Sequence, residues 1–204
     1  MAGTLNSVSP DLTRQIHQVQ FLTIAWMAVE AAVSLGAAWS ARSPALLGFG
    51  GDSAIELLSA GLVLWRFRTR RQSRHVENLA AKIAGALLYL LALFVCATSI
   101  LSLRGHVQPR PTLIGIAMLV LAALVMPLLA KQKRRLSAAT KSAALRADAA
   151  ESALCAYLAL IALAGLAANF FWGIGWADPL AALLLVPLIA YEGTEAIKGK
   201  PCCD

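Results

Sequence analysis

Apolar residues run in long unbroken stretches along this chain, with polar residues gathered between them. Six stretches, near 19–41, 45–67, 80–103, 112–130, 142–171 and 179–197, are predominantly apolar. A hydrocarbon core of ~30 Å is crossed by roughly 20 residues of helix, and each stretch is long enough or nearly so. Ala, Leu and Gly dominate, and the strict alternation of a membrane strand is absent, so the stretches predict helices rather than a barrel. The expected fold is an all-α membrane protein, a bundle of six transmembrane helices. Its parts are a polar segment 1–18, the helical domain 19–197 and a short tail 198–204. The first segment lacks a short apolar core with a cleavage site. No removable signal peptide is expected, and the first helix serves as its own insertion signal.

Composition narrows the class. Of 204 residues, 59% are hydrophobic and 14% charged. Soluble domains carry about a quarter charged residues, because a small globule must cover itself with them. The apolar excess also excludes a disordered chain, and four cysteines are too few for a disulfide scaffold. The net charge of +7 does not point to nucleic acid, since no basic and aromatic surface or spare soluble domain is present to bind it.

Charge placement predicts the orientation. Arg66, Arg68, Arg70, Arg71, Arg74 and Lys82 surround the second link, and Lys131, Lys133, Arg134, Arg135, Lys141 and Arg146 the fourth. Arg14 precedes the first stretch, and Lys198 and Lys200 follow the sixth. The opposite side has only Arg42, Arg104 and Arg110. By the positive-inside rule both termini are expected in the cytoplasm, in a membrane of the bacterial inner type.

The acids are the candidate chemistry. Of eleven in the chain, Glu30, Asp52, Glu56, Asp148, Glu151 and Asp178 stand out within or at the rim of the apolar stretches. A charge at the bilayer centre is opposed by at least ~2.5–3.5 kcal/mol. Basic residues are almost absent from the stretches, so most of these acids need a proton or a bound cation. Asp52 and Glu56 are four apart and share one helix face. Ser53 to Glu56 also fits a capping box, but a helix starting there is too short to span. Ser43-Pro44 is the better start, with Ser at the N-cap. Asp52 and Glu56 then lie roughly 12 and 18 Å below one end. Asp148, Glu151 and Cys155 share a face of the fifth stretch, with Glu151 and Cys155 roughly 14 and 20 Å from the opposite end. The two pairs overlap in depth. Asp52, Glu56, Glu151 and Cys155 could form a tetrahedral site, and the thiolate would favour zinc or cadmium.

The segments Gly48-Phe-Gly-Gly-Asp-Ser-Ala-Ile-Glu56, Arg146-Ala-Asp-Ala-Ala-Glu-Ser-Ala-Leu-Cys155 and Trp176-Ala-Asp-Pro-Leu-Ala-Ala182 resemble the cation diffusion facilitator family of proton-coupled metal exporters. The resemblance covers nearly the whole chain. It implies export of zinc or cadmium in exchange for protons, with the metal as cargo, no cofactor, and Asp52, Glu56, Glu151 and Cys155 at the family's four ligand positions. Glu56 stands where Asp is usual, Glu151 where His or Asp is usual, and Cys155 where Asp is usual. The chain resembles a short form without the family's cytoplasmic metal-sensing domain, so a homodimer would form through membrane helices. Each half carries its polar pair on its middle helix, compatible with an inverted repeat and alternating access.

Other features have plainer readings beside the functional ones. Asp148 could orient Glu151 or touch a passing ion. Glu30, one turn from Trp26, could assist as ligand or proton carrier, or be a hydrogen-bonded carboxyl. Asp178 before Pro179 most simply caps the sixth helix, with an outer-mouth ion contact as the alternative. Cys202 and Cys203 read as a reduced tail, His17 and His75 as surface residues, and His106 as an outer-loop residue. Pro127 and Pro187 are candidate kinks. A membrane-embedded metal-dependent enzyme and a non-transporting metal-binding scaffold remain open alternatives.

Overall fold

The computed structural model describes residues 10–68, 74–105, 108–110, 112–140 and 143–198. Six helices account for nearly all of them: α1 (Pro10–Ala41), α2 (Pro44–Arg68), α3 (Arg74–Leu103), α4 (Leu113–Thr140), α5 (Ala143–Trp172) and α6 (Ala177–Lys198). The helices outrun the apolar stretches. α1 begins inside the segment read as polar, ahead of the first apolar stretch, and α4 continues ten residues past Ala130. Apolarity marks the lipid-buried part of a helix. The helix itself continues wherever good helix formers such as Lys, Arg, Gln and Leu follow.

Five helices are long and apolar enough to cross a membrane among the described residues. Their outward side chains are apolar as well: Leu93, Leu124, Leu128 and Ile114 are more than half exposed. A surface of this kind fits lipid and not water. Trp39, Trp172 and Trp176 are exposed where α1 and α5 end and α6 begins. Amphipathic rings collected at one level form the belt expected at a membrane–water interface. The chain is an integral, multi-pass, all-α membrane protein.

That aromatic level is the far end, opposite the start of α1 and the end of α6, which mark the termini end. The turn from α1 to α2 takes two residues. Arg42 adopts a left-handed φ of 53° and the Ser43 amide reaches back to the Ala38 carbonyl at 3.2 Å, a Schellman stop for α1. The link between α3 and α4 lies against this turn, with the Arg110 amide donating to the Ala41 carbonyl at 2.7 Å. Asn169 near the end of α5 donates to the Pro109 carbonyl at 3.2 Å.

Inside the bundle α2 packs against α1, α3, α5 and α6, so its side chains line the centre. α3 and α6 cross closely. A Cβ on Gly85 would fall 2.7 Å from the Gly193 carbonyl oxygen and 2.5 Å from Ile197 Cγ1. Small residues at such a crossing let two membrane helices approach backbone to backbone.

Candidate metal centre

Ser43 and Pro44 start α2 as the sequence predicts. Ser43 Oγ accepts the Leu46 amide at 3.1 Å, the N-cap bond to the third helical residue. Ser43 in turn donates to Asp178 Oδ2 at 2.5 Å, and Asp178 Oδ1 accepts the Ala45 amide at 3.2 Å. The expectation that Asp178 caps its own helix is thereby corrected. Asp178 lies in the first turn of α6 and spends both oxygens on the start of α2. The physical reason is that α2 and α6 begin side by side at the far end, and α2 offers the unpaired amides.

Two turns below the cap, α2 carries Asp52 and Ser53, both fully buried, then Glu56. Adjacent positions on a helix diverge by about 100°, and here they enter two different polar environments. Ser53 faces α1 and α5. Its hydroxyl donates to Glu30 Oε1 at 2.7 Å, the Cys155 thiol donates to the same oxygen at 3.2 Å, and Trp26 Nε1 donates to Oε2 at 2.6 Å. Glu30 is fully buried, with donors on both oxygens. This is a saturated carboxyl, satisfied by the fold itself.

Asp52 faces the other way, toward α6. One oxygen from each of Asp52, Glu56 and Glu192 lies within 4.8 Å of the others. Both oxygens of Asp52 and both of Glu192 are buried, and among the described residues no donor reaches them. Two unit charges at 4.8 Å repel by about 3 kcal/mol even at an effective dielectric of ~20. Desolvation adds several kcal/mol per ion. Such a cluster calls for a cation or a shared proton.

The one buried cation is committed elsewhere among the described residues. Lys133 Nζ donates to Asp148 Oδ1 at 2.7 Å and to Ser152 Oγ at 2.8 Å, with the Lys133 side chain completely buried. Gln20 Nε2 on α1 completes the group at 2.6 Å from Asp148 Oδ2. The basic residues of the segment 131–135, placed around the fourth link by the sequence, thus lie within α4. The segment is helical, and Lys133 turns inward to join α4, α5 and α1 near the termini end. Asp148 is thus an ion-pair partner in this conformation.

Of the four positions singled out as ligands, Asp52 and Glu56 converge. Cys155 is held on Glu30, with its sulfur 4.0 Å from Ser53 Oγ, and Glu151 is exposed on α5. Glu192 is the residue that sequence reasoning missed. It lies within the sixth apolar stretch, three residues before Glu195. His17 is exposed, as expected of a surface residue. Cys202 and Cys203 lie outside the described residues, as do the side chains of His75 and His106.

The profile described as the cation efflux transmembrane domain matches residues 21–199. The chain belongs to the cation efflux family. That family consists of transporters, and this chain is a metal-cation transporter domain whose described helices account for nearly all of the matched stretch. No curated protein sequence matches the chain.

Proposed function

We propose that the protein exports zinc and cadmium from the cytoplasm in exchange for protons. The observation that carries this reading is the set of orphaned oxygens on Asp52, buried at the centre of a cation efflux domain. A buried carboxylate without a donor has two ways to lose its charge in a membrane: it takes a proton or a metal. When it alternates between them, binding one expels the other, which is sufficient for antiport.

Zinc and cadmium are favoured by sulfur. Cys155 is buried and its thiol lies 4.0 Å from the hydroxyl of the residue after Asp52. Released from Glu30, it is the nearby soft donor, and Asp52, Glu56 and Cys155 with Glu151 would give the four-ligand tetrahedral set. Alternating access requires the two ends of the bundle to open in turn. At the far end the bonds that would part are those from Asp178 to Ser43 and from Arg110 to Ala41. At the termini end they are those of Lys133, Asp148 and Gln20.

The test is flux through purified protein in sealed liposomes. Zinc and cadmium should leave the cytoplasmic-equivalent side faster with an opposing proton gradient, and Asp52→Ala should abolish both fluxes. Equal flux with the gradient collapsed would exclude obligatory proton coupling, and no flux of either metal would remove the transport reading. Cysteines placed in the 104–110 link should react only with reagents on the outside, which checks the cytoplasmic placement of the termini.

A further inference from the structure

Among the described residues the fold supplies hydrogen-bond partners to three buried or half-buried membrane acids. Glu30 has three donors, Asp178 two, and Asp148 has Lys133 and Gln20. Among the described residues no other side chain or backbone group donates to Asp52 or Glu192, which face each other. A chain able to satisfy an acid at either end and on the opposite face of α2 has left these two bare, on two helices, with their oxygens directed at each other.

Their meeting follows from how α2 and α6 pack. Both helices start at the far end and run toward the termini, so they lie parallel. A Cβ on Gly48 would stand 3.4 Å from Leu185 Cδ1 and 3.6 Å from Ile189 Cδ1, which places Gly48 of α2 against that turn of α6. One turn further along α2 is Asp52, and about one turn beyond Ile189 is Glu192. The neighbouring Gly193 is buried, and a Cβ there would meet the Gly85 carbonyl oxygen at 3.2 Å. α6 is therefore held tightly against α3 at the level of the carboxylates, and Glu192 points to the α2 side.

We propose that Glu192 is a direct cation ligand, so that the cargo is held by three carboxylates from α2 and α6, with α5 not required for this position. The proposal rests on the transport reading above and specifies the site it uses. The chemical class follows from the donors. Three carboxylate oxygens with open positions for water suit oxygen-preferring divalent ions, manganese and cobalt, as well as zinc. A tetrahedral ion bonded at 2.0–2.2 Å spaces its oxygens by roughly 3.4 Å, which side-chain rotation reaches from the present separation. The all-oxygen position and the Cys155 thiol are two distinct environments either side of the Asp52–Ser53 step. A metal passing from one to the other keeps Asp52 throughout.

The test is titration of purified, full-length protein with ZnCl2 and MnCl2, read as affinity by calorimetry and as the metal-induced rise in Tm. Glu192→Gln keeps the side chain's shape and removes its charge. It should weaken both metals at least about tenfold, since losing even an outer-shell partner of a metal ligand has effects of that size. Glu192→Asp should recover part of the loss. Asp52→Asn is the reference for loss of the site. If Asp52→Asn loses both metals while Glu192→Gln binds them as the wild type does, the proposal is overturned and the transport reading survives. If neither variant changes binding, both readings fail. An unliganded Tm for Glu192→Gln equal to or above that of wild type would show that its loss of binding is not misfolding. If Glu192→Gln is too unstable to purify, Glu192→Asp decides: wild-type affinity with the shortened acid overturns the proposal.

Discussion

Cys155 and Glu30 are 125 positions apart in sequence, and their side chains are 3.2 Å apart, thiol donating to carboxylate. The bond joins α1 to α5 through the least exposed part of the bundle. It makes position 155 sensitive to charge. Cys155→Asp would place a second carboxyl against Glu30 where a donor now stands, and one of the two must then stay protonated. The single variant should lower the unfolding midpoint in detergent. Combining it with Glu30→Gln, which can donate, should restore most of the loss. A coupling energy on the order of 0.5–3 kcal/mol is expected from the double-mutant cycle. Strict additivity would refute a direct contact between the two residues.

A second prediction concerns Lys133. Were it an exposed loop residue, its removal would be silent. As the buried partner of Asp148 and Ser152, Lys133→Ala should destabilise by about 3 kcal/mol, the lower end for breaking a buried pair, because Asp148 is 27% exposed. Lys133→Met combined with Asp148→Asn should recover much of this. Arg134→Ala, at an exposed neighbouring position, is the control and should change the midpoint by no more than about 0.5 kcal/mol.

These residues also show what could be read in advance. The six helices, the cap at Ser43 and the facing of Trp26 on Glu30 were legible, because each depends on neighbours within one turn or on the length of an apolar run. Lys133 was not. Four basic residues within the five positions 131–135 look like a solvated link, and only the α4–α5 packing turns one of them inward. Glu192 was obscured by its surroundings. Glu195 and Lys198 follow it at helical spacing and pair at 3.6 Å, so the segment has the signature of a water-facing helix end. Which of two adjacent residues, Asp52 or Ser53, meets Cys155 depends on helix rotation within the bundle. Spacing along one helix leaves that rotation open.

The crossing of α3 and α6 gives a third prediction. Gly85→Ala drives a methyl group to 2.7 Å from the Gly193 carbonyl oxygen, a backbone atom that cannot swing away. The helices must separate, with a destabilisation of about 1–3 kcal/mol, the range for overpacking. Because Glu192 adjoins the crossing, zinc affinity should fall as well. Gly36→Ala meets nothing within 4 Å and should leave both quantities unchanged or slightly raise stability. Unfolding midpoints and zinc titrations on the two variants check this pair.

The fourth prediction is at the far end. Asp178→Ala removes the acceptor for Ser43 Oγ and the Ala45 amide together, and should destabilise by about 0.5–2 kcal/mol, the scale of a lost cap. Asp178→Asn keeps one acceptor oxygen and should lose less. Because the effect is on α2's first turn, hydrogen exchange at Ala45 should quicken in Asp178→Ala, while exchange in the first turn of α6 should change little. The reverse pattern would return Asp178 to its own helix.

That far-end tie also bears on how the protein enters its membrane. Synthesis delivers α2 long before α6. When α2 emerges, the amide of Ala45 has no acceptor from α6, and the helix carries two acids that oppose its partition into lipid. α2 is consequently a span poorly able to settle alone, and its start gains its side-chain acceptor only when the last helix arrives with Asp178. The bundle is in this sense sewn shut from its final segment, and a chain arrested before α6 would expose an unfinished α2 to membrane quality control.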